Sequence, residues 1–214
     1  HPQTISVVRD LVSQGLIPNE QREHWDLVTQ APWRYPRRAE DIVILALGRN
    51  TPPAKQDRFM RSLASQNRQD FGVILVDDGG VSGSTIGLHR RHAWLSGRLT
   101  LIRRSTSVGY LENFRECVRE ICVRPEALVV VVDQDDALMG VDAIDRLWAL
   151  WRDGADLINA PMFRPDKPTQ LYPVDHVQPR SKGGGNVWAH LRAFRKSLYC
   201  LLYTSPSPRD LSTS

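Results

Sequence analysis

No stretch of this sequence is apolar for long enough to cross a bilayer, and its start lacks the charged, apolar and small-residue succession of a secretory leader. The chain therefore reads as soluble and cytoplasmic, with peripheral attachment at the inner face of a membrane as the one membrane role left open. Cysteine is scarce: Cys117, Cys122 and Cys200 are odd in number and have no metal-ligand spacing, which argues for reduced thiols and against a disulfide scaffold or zinc site. Concentrated charge is missing too. The net charge is +4, but the arginines are spread along the chain, so a nucleic-acid patch is not expected. A solvated basic surface or a small anionic ligand accounts for the excess. An initiator methionine is also absent, because the chain opens on His1, and the stretch from Thr204 to Ser214 (TSPSPRDLSTS) has no periodic pattern. These ends suggest a piece of a longer protein closed by a disordered or artefactual tail.

What is present is a series of short apolar runs that end in acids. The clearest is Leu128 to Asp136, LVVVVDQDD. A short run rich in β-branched valine reads as a strand buried on both faces, as in the middle of a parallel sheet. Ligands of open α/β sheets bind beyond the carboxyl ends of the strands, so acids there face a crevice. If the chain stays extended, Asp133 and Asp135 fall on one side, and Gln134 and Asp136 on the other. Two carboxylates about 4 Å apart repel by roughly 4 kcal/mol at an effective dielectric near 20, so the pair invites a cation. Oxygen ligands favour Mg²⁺ or Mn²⁺.

The same theme recurs upstream. Ile42 to Leu47 (IVILAL) and Val73 to Val76 (VILV) read as strands, the second ending in Asp77, Asp78, Gly79 and Gly80. Leu99 to Ile102 and Asp156 to Asn159 are further short strands. Helical spacing is expected over Asp57 to Gln66, Thr85 to Leu95, Glu112 to Cys122 and Asp142 to Asp153, the last with Ile144, Leu147, Trp148 and Trp151 inward. Such alternation predicts an α/β domain with right-handed crossovers and a mainly parallel central sheet flanked by helices. Residues 1–38 read as an N-terminal helical extension and linker, 39–203 as the main domain and 204–214 as the tail. The proline-rich segment from Ala160 to Gly185 is long enough to be a lid or binding wall. Asn186 then reads as the cap of a last helix with Val187, Leu191, Phe194 and Leu198 on its apolar side, and His190, Arg192, Arg195 and Lys196 on the other.

DDGG at Asp77 to Gly80, DQDD at Asp133 to Asp136 and NVWAHLRAFRKSLY at Asn186 to Tyr199 together resemble the family 2 glycosyltransferases, over about Ile42 to Tyr199. The resemblance implies a GT-A fold with a Rossmann-like nucleotide-binding half. It also implies an activity: transfer of a sugar from a nucleotide-diphosphate-sugar donor to a hydroxyl of a glycan, lipid or protein acceptor, with inversion and with Mn²⁺ or Mg²⁺ as cofactor. By the same resemblance Asp77 and Asp78 contact the base and ribose, Asp133 and Asp135 are the DxD pair at the ribose and metal, and Asp136 lies near the donor sugar. Asn50 is the residue matching the turn after the first strand. Arg192, with Arg164, Lys167 and Arg195, is a diphosphate partner by charge and position.

The chain also departs from that pattern. Its first strand runs into ALGRN rather than a P-T-Y-N type turn, and SVGYLEN at Ser107 to Asn113 keeps Gly109 and Asn113 at altered spacing. An inverting transfer needs a base for the acceptor hydroxyl; Asp136, Asp166, Asp175 and His190 are available, and none sits in a matching motif. Two rivals stay open. A nucleotidyltransferase would carry a glycine-rich basic loop after its first strand, of which GRNTPPAK at Gly48 to Lys55 is a poor version; a catalytically inactive nucleotide- or glycan-binding module would need no base. The acids have a plainer reading as well, as turn formers and helix caps.

Overall fold

The computed structural model describes residues 35–80, 85, 87–160 and 192–199. Four apolar runs become parallel strands: β1 (Ile42–Gly48), β2 (Phe71–Asp77), β3 (Leu99–Arg103) and β4 (Leu128–Val131). Helices α1 (Pro53–Ala64), α2 (Leu88–Arg91), α3 (Tyr110–Glu116) and α4 (Ala143–Arg152) alternate with them. Two further strands, β5 (Leu157–Asn159) and β6 (Arg192–Arg195), complete one sheet in the order β3-β2-β1-β4-β6-β5. The first four strands are mutually parallel, and β6 runs antiparallel to both β4 and β5. This is the expected α/β architecture with a mainly parallel sheet.

The core explains why these runs are strands. β1 to β4 bury nearly every side chain because helices pack on the sheet, with Phe59, Met60 and Leu63 of α1 and Ile144 and Leu147 of α4 contributing from their inward stripes. Trp148 and Trp151, one helical turn apart, stack at 4.7 Å and are only partly buried; Arg68 lies over the first ring and Arg195 over the second.

Three expectations are corrected by the fold. Residues 192–195 are a strand, and only 196–199 are helical, so the helix expected from Asn186 does not include Arg192 or Arg195. The reason is tertiary: LVVV of β4 has a second edge that β1 does not cover, and the pairing Leu128↔Arg195 to Val131↔Arg192 closes it. The helix expected over Thr85 to Leu95 is broken into α2 and a 3₁₀ turn at Ala93–Leu95, after Gly87 takes a left-handed φ of 68°. The helix expected to end at Cys122 is α for Tyr110–Glu116 and widens into a π turn at Cys117–Ile121.

Register decides where the chemistry goes. Gly48 pairs with Asp77, and Asp77 with Arg103, so β1, β2 and β3 end level. β4 ends opposite Leu45, earlier than the extended chain expected through Asp136, and residues 132–134 continue beside β1 through Val132 N to Leu45 O (3.1 Å) and Gln134 N to Leu47 O (3.5 Å). The acids after β4 thus reach the level of the turn after β1.

The strand assignment of residues 192–195 makes a discriminating prediction. Ala193 would sit on the polar side of the expected helix but is fully buried between β4 and β5. Ala193→Glu should therefore cost about 3 kcal/mol or more in urea denaturation, because an unpaired carboxylate is forced inside; a cost below about 0.5 kcal/mol would point to an exposed helical site.

Candidate functional site

The turns after all four parallel strands meet around a cavity of about 570 Å³. One wall is Leu47 to Pro52 after β1. The second is Asp78 after β2, with Ser107, Gly109, Tyr110 and Asn113 after β3, and the third is Asp133 and Asp135 after β4. It lies where β1 passes the chain to β2 on one side and adjoins β4 on the other, the crevice such sheets offer to ligands.

Asp78 shapes the second wall. Its Oδ1 accepts from Val108 N (2.8 Å), and its Oδ2 from Ser107 Oγ (2.6 Å) and Gly109 N (3.0 Å). Burial by itself would raise this carboxyl, but those hydrogen bonds, with the Asn113 side chain, outweigh it and hold it at about 2. Gly79 makes the approach of this loop possible: its φ is 71°, and a Cβ there would lie 2.5 Å from Ser107 N. Asn113 keeps the loop closed from behind, giving Nδ2 to Gly109 O (2.9 Å) and taking Arg104 Nε on Oδ1 (3.0 Å).

Asp77 behaves differently from its neighbour. It is buried and is not among the cavity-lining residues; its carboxylate accepts from Gly80 N (3.1 Å) and Thr85 Oγ1 (3.0 Å) and faces Arg103 Nε at 3.7 Å. The structure thus puts one of the paired acids at the cavity and the other under the turn. Asn50, also at the cavity, has a left-handed φ of 56°, a conformation asparagine tolerates better than most residues.

The third wall is a turn rather than an extended strand end, closed by Asp136 N to Asp133 O (3.1 Å). Gln134 points inward and is 2% exposed, while Asp133 and Asp135 on either side face the cavity. Asp135 takes Lys55 Nζ on its carboxylate (3.1 Å) and Arg58 on its carbonyl (2.7 Å), both from α1. Tyr110 is half exposed and stacks on Phe114 with centroids 6.2 Å apart. Its hydroxyl is pushed up by burial and then by the Asp133 carboxylate, while Arg192 on β6 pulls it back.

The sequence-derived residues therefore divide. Asn50, Asp78, Asp133 and Asp135 line one cavity, Arg192 acts on Tyr110 of its lining, and Asp77, Asp136 and Arg192 are not lining residues. Asp166, Asp175, His190, Arg164 and Lys167 fall outside the described residues. Sequence reasoning missed Tyr110, Thr51, Lys55 and Arg58. Tyr110 follows a serine-valine-glycine turn after β3, a signal visible once Gly109 is placed at a strand end.

An oxygen-only donor pair suits Mg²⁺ or Mn²⁺, which bind through one or two carboxylates together with substrate phosphates. Among the described residues no group of three or more His, Cys, Asp or Glu side chains is arranged to hold a metal. A cation held by Asp133 and Asp135 would need further ligands, such as substrate phosphates.

Residues 42–202 match the family described as Glycosyl transferase family 2. No curated protein matches the chain in sequence. Among solved structures, the mannosyltransferase PcManGT from Pyrobaculum calidifontis, in complex with GDP-Man and Mn²⁺, is 17% identical with a TM-score of 0.55, covering 94% of this chain and 58% of that one. TarS residues 1–349 of S. aureus, in complex with UDP, is 14% identical with a TM-score of 0.55, covering 80% of this chain and 52% of that one. The chain thus spans between half and three-fifths of these two solved chains, and the likeness is one of fold. No described helix is long and apolar enough to cross a membrane.

The Asp78 cluster sets a pH expectation. Its carboxyl titrates near 2 in the folded chain, against about 3.9 when unfolded. Its stabilisation is therefore complete above about pH 4 and lost as pH falls toward 2. Asp78→Asn should cost about 1–3 kcal/mol at pH 7 in chemical denaturation, and the gap from the parent should shrink between pH 4 and 2; a gap unchanged over that range would contradict the assignment.

Proposed function

The chain belongs to glycosyl transferase family 2, and on that premise we propose that its cavity binds a nucleotide-diphosphate sugar and that the protein passes the sugar to an acceptor hydroxyl, with inversion and with Mn²⁺ or Mg²⁺. The observation that carries this reading is the opposition of Asp78 to Asp133 and Asp135 across one cavity at the ends of the parallel strands.

Each wall has a task in this reading. The β1 turn with Asn50, and the loop held by Asp78, flank the nucleoside; Tyr110 offers a half-exposed ring, and Asn113 fixes the loop behind it. Asp133 and Asp135 would hold the cation. Without one, their charges repel a diphosphate. A bound divalent cation would stabilise, as a Lewis acid, the negative charge accumulating on the leaving nucleoside diphosphate. Arg192, whose charge reaches the Tyr110 hydroxyl, would add positive charge for the diphosphate. Asp77 supports the site by fixing the turn at Gly80 and Thr85 rather than by touching the donor. Asp136, Asp166 and His190 remain the residues offered for acceptor activation.

A second reading is a binding module without turnover. It is favoured because no lining aspartate is left over to act as a base: Asp78 is taken up by the loop, and the donor reading assigns Asp133 and Asp135 to the cation. Donor hydrolysis in the parent but not in Asp135→Ala supports the enzyme; no hydrolysis in either, with binding intact, supports the module.

Calorimetric titration of the full chain with nucleotide-diphosphate sugars tests the donor reading. Binding should strengthen at least about tenfold on adding Mn²⁺ or Mg²⁺, and Asp135→Ala should remove that gain. The coupling should be reciprocal, the cation binding weakly alone and tightly with nucleotide. Failure of every nucleotide sugar to bind with either metal would overturn the proposal.

A further inference from the structure

Gln134 lies between the two cavity-facing aspartates, yet its side chain turns away from the cavity and into the sheet. It is 2% exposed. Its Nε2 donates to Ala46 O of β1 (3.2 Å) and Val76 O of β2 (2.6 Å), and its Oε1 accepts from Gln56 Nε2 of α1 (3.1 Å). Two carbonyls on one side and an amide donor on the other leave a single consistent orientation of the amide. Gln56 is itself fully buried, so this amide contact is shielded from water.

The turn is gripped from two directions. From the sheet, Gln134 reaches the ends of β1 and β2, the strands that deliver Asn50 and Asp78. From α1, three residues within one helical turn reach it: Lys55 to the Asp135 carboxylate, Gln56 to Gln134, and Arg58 to the Asp135 carbonyl. Space has been left for it. A Cβ at Gly48 would lie 2.8 Å from Gln134 Cδ, so a side chain there would push the amide out.

From this arrangement we propose that Gln134 is a positioning residue for cation and donor: its inward amide sets the rotation of the turn and so aims Asp133 and Asp135 together into the cavity. The inference rests on the donor-site reading above and deepens it. Within one short turn, neighbouring side chains cannot all point the same way. Releasing Gln134 from the strand ends lets the turn rotate about its closing bond and separates the two carboxylates from their shared target. The buried amide thus acts on the ligand through its neighbours and touches neither cation nor nucleotide.

The test is Mn²⁺ binding followed by electron paramagnetic resonance, with a nucleoside diphosphate present, on the full chain. Gln134→Met keeps the volume and removes the three side-chain hydrogen bonds, and should raise the Mn²⁺ Kd about tenfold or more in the folded protein, as loss of outer-shell partners does. Gln56→Met, which removes only the donor to Oε1, should raise it about threefold by the same logic. Val129→Ala, a buried β4 change remote from the turn, is the stability control and should leave the Kd unchanged. If Gln134→Met folds too poorly to measure, Gln56→Met against Val129→Ala decides alone. Equal Kd values for parent, glutamine variants and control would assign Gln134 to the fold only and overturn the proposal. No Mn²⁺ binding by the parent would instead overturn the donor-site reading on which it rests.

Discussion

A parallel strand covered on both faces has nowhere to place a charged side chain except its ends, and that constraint organises this molecule. β1, β2 and β4 spend their length on valine, isoleucine and leucine, and their polar residues begin where the sheet stops. Parallel register then brings those ends to one edge: Gly48 beside Asp77, Asp77 beside Arg103, and residues 132–134 alongside the end of β1. The cavity is a consequence of strands that finish together.

Gathering three aspartates at one opening raises an electrostatic problem, and each is answered differently. Asp78 is stabilised by two backbone N–H groups and a serine hydroxyl, so its charge becomes the means of ordering the loop at Ser107 to Gly109. Asp135 meets the ammonium of Lys55, half exposed, in a pair that contributes little stability and is easily exchanged for a stronger cation. Asp133 acts on the Tyr110 hydroxyl, where Arg192 opposes it. Under the proposed donor reading, a diphosphate entering here would need positive charge between it and the acids, so nucleotide and divalent cation would belong to one binding event.

How much of this could be read from the sequence follows from the range of the interactions concerned. The four parallel strands, α1 and α4 were legible because continuous apolar runs and helical stripes are local signals. Asp78, Asp133 and Asp135 were legible because acids directly after such runs mark strand ends. RAFR at Arg192 to Arg195 was not, since its strand form depends on the uncovered edge of β4, some sixty residues away in sequence. Nor were the distinct roles of Asp77 and Asp78: adjacent identical residues differ only in which way the turn points them. The inward turn of Gln134 was half legible, as alternation set it opposite Asp133 and Asp135, but its partners on β1, β2 and α1 belong to the tertiary fold.

The central claim is that one cavity, between the Asp78 loop and the Asp133–Asp135 turn, holds nucleotide and cation together. A crystal structure of the full chain grown with a nucleoside diphosphate and Mn²⁺, with manganese located by its anomalous signal, addresses it most directly. The account predicts a manganese peak bridging the diphosphate to Asp133 or Asp135, with the nucleoside against the loop that Asp78 holds. A nucleotide bound elsewhere, or a manganese touching neither aspartate, would contradict it.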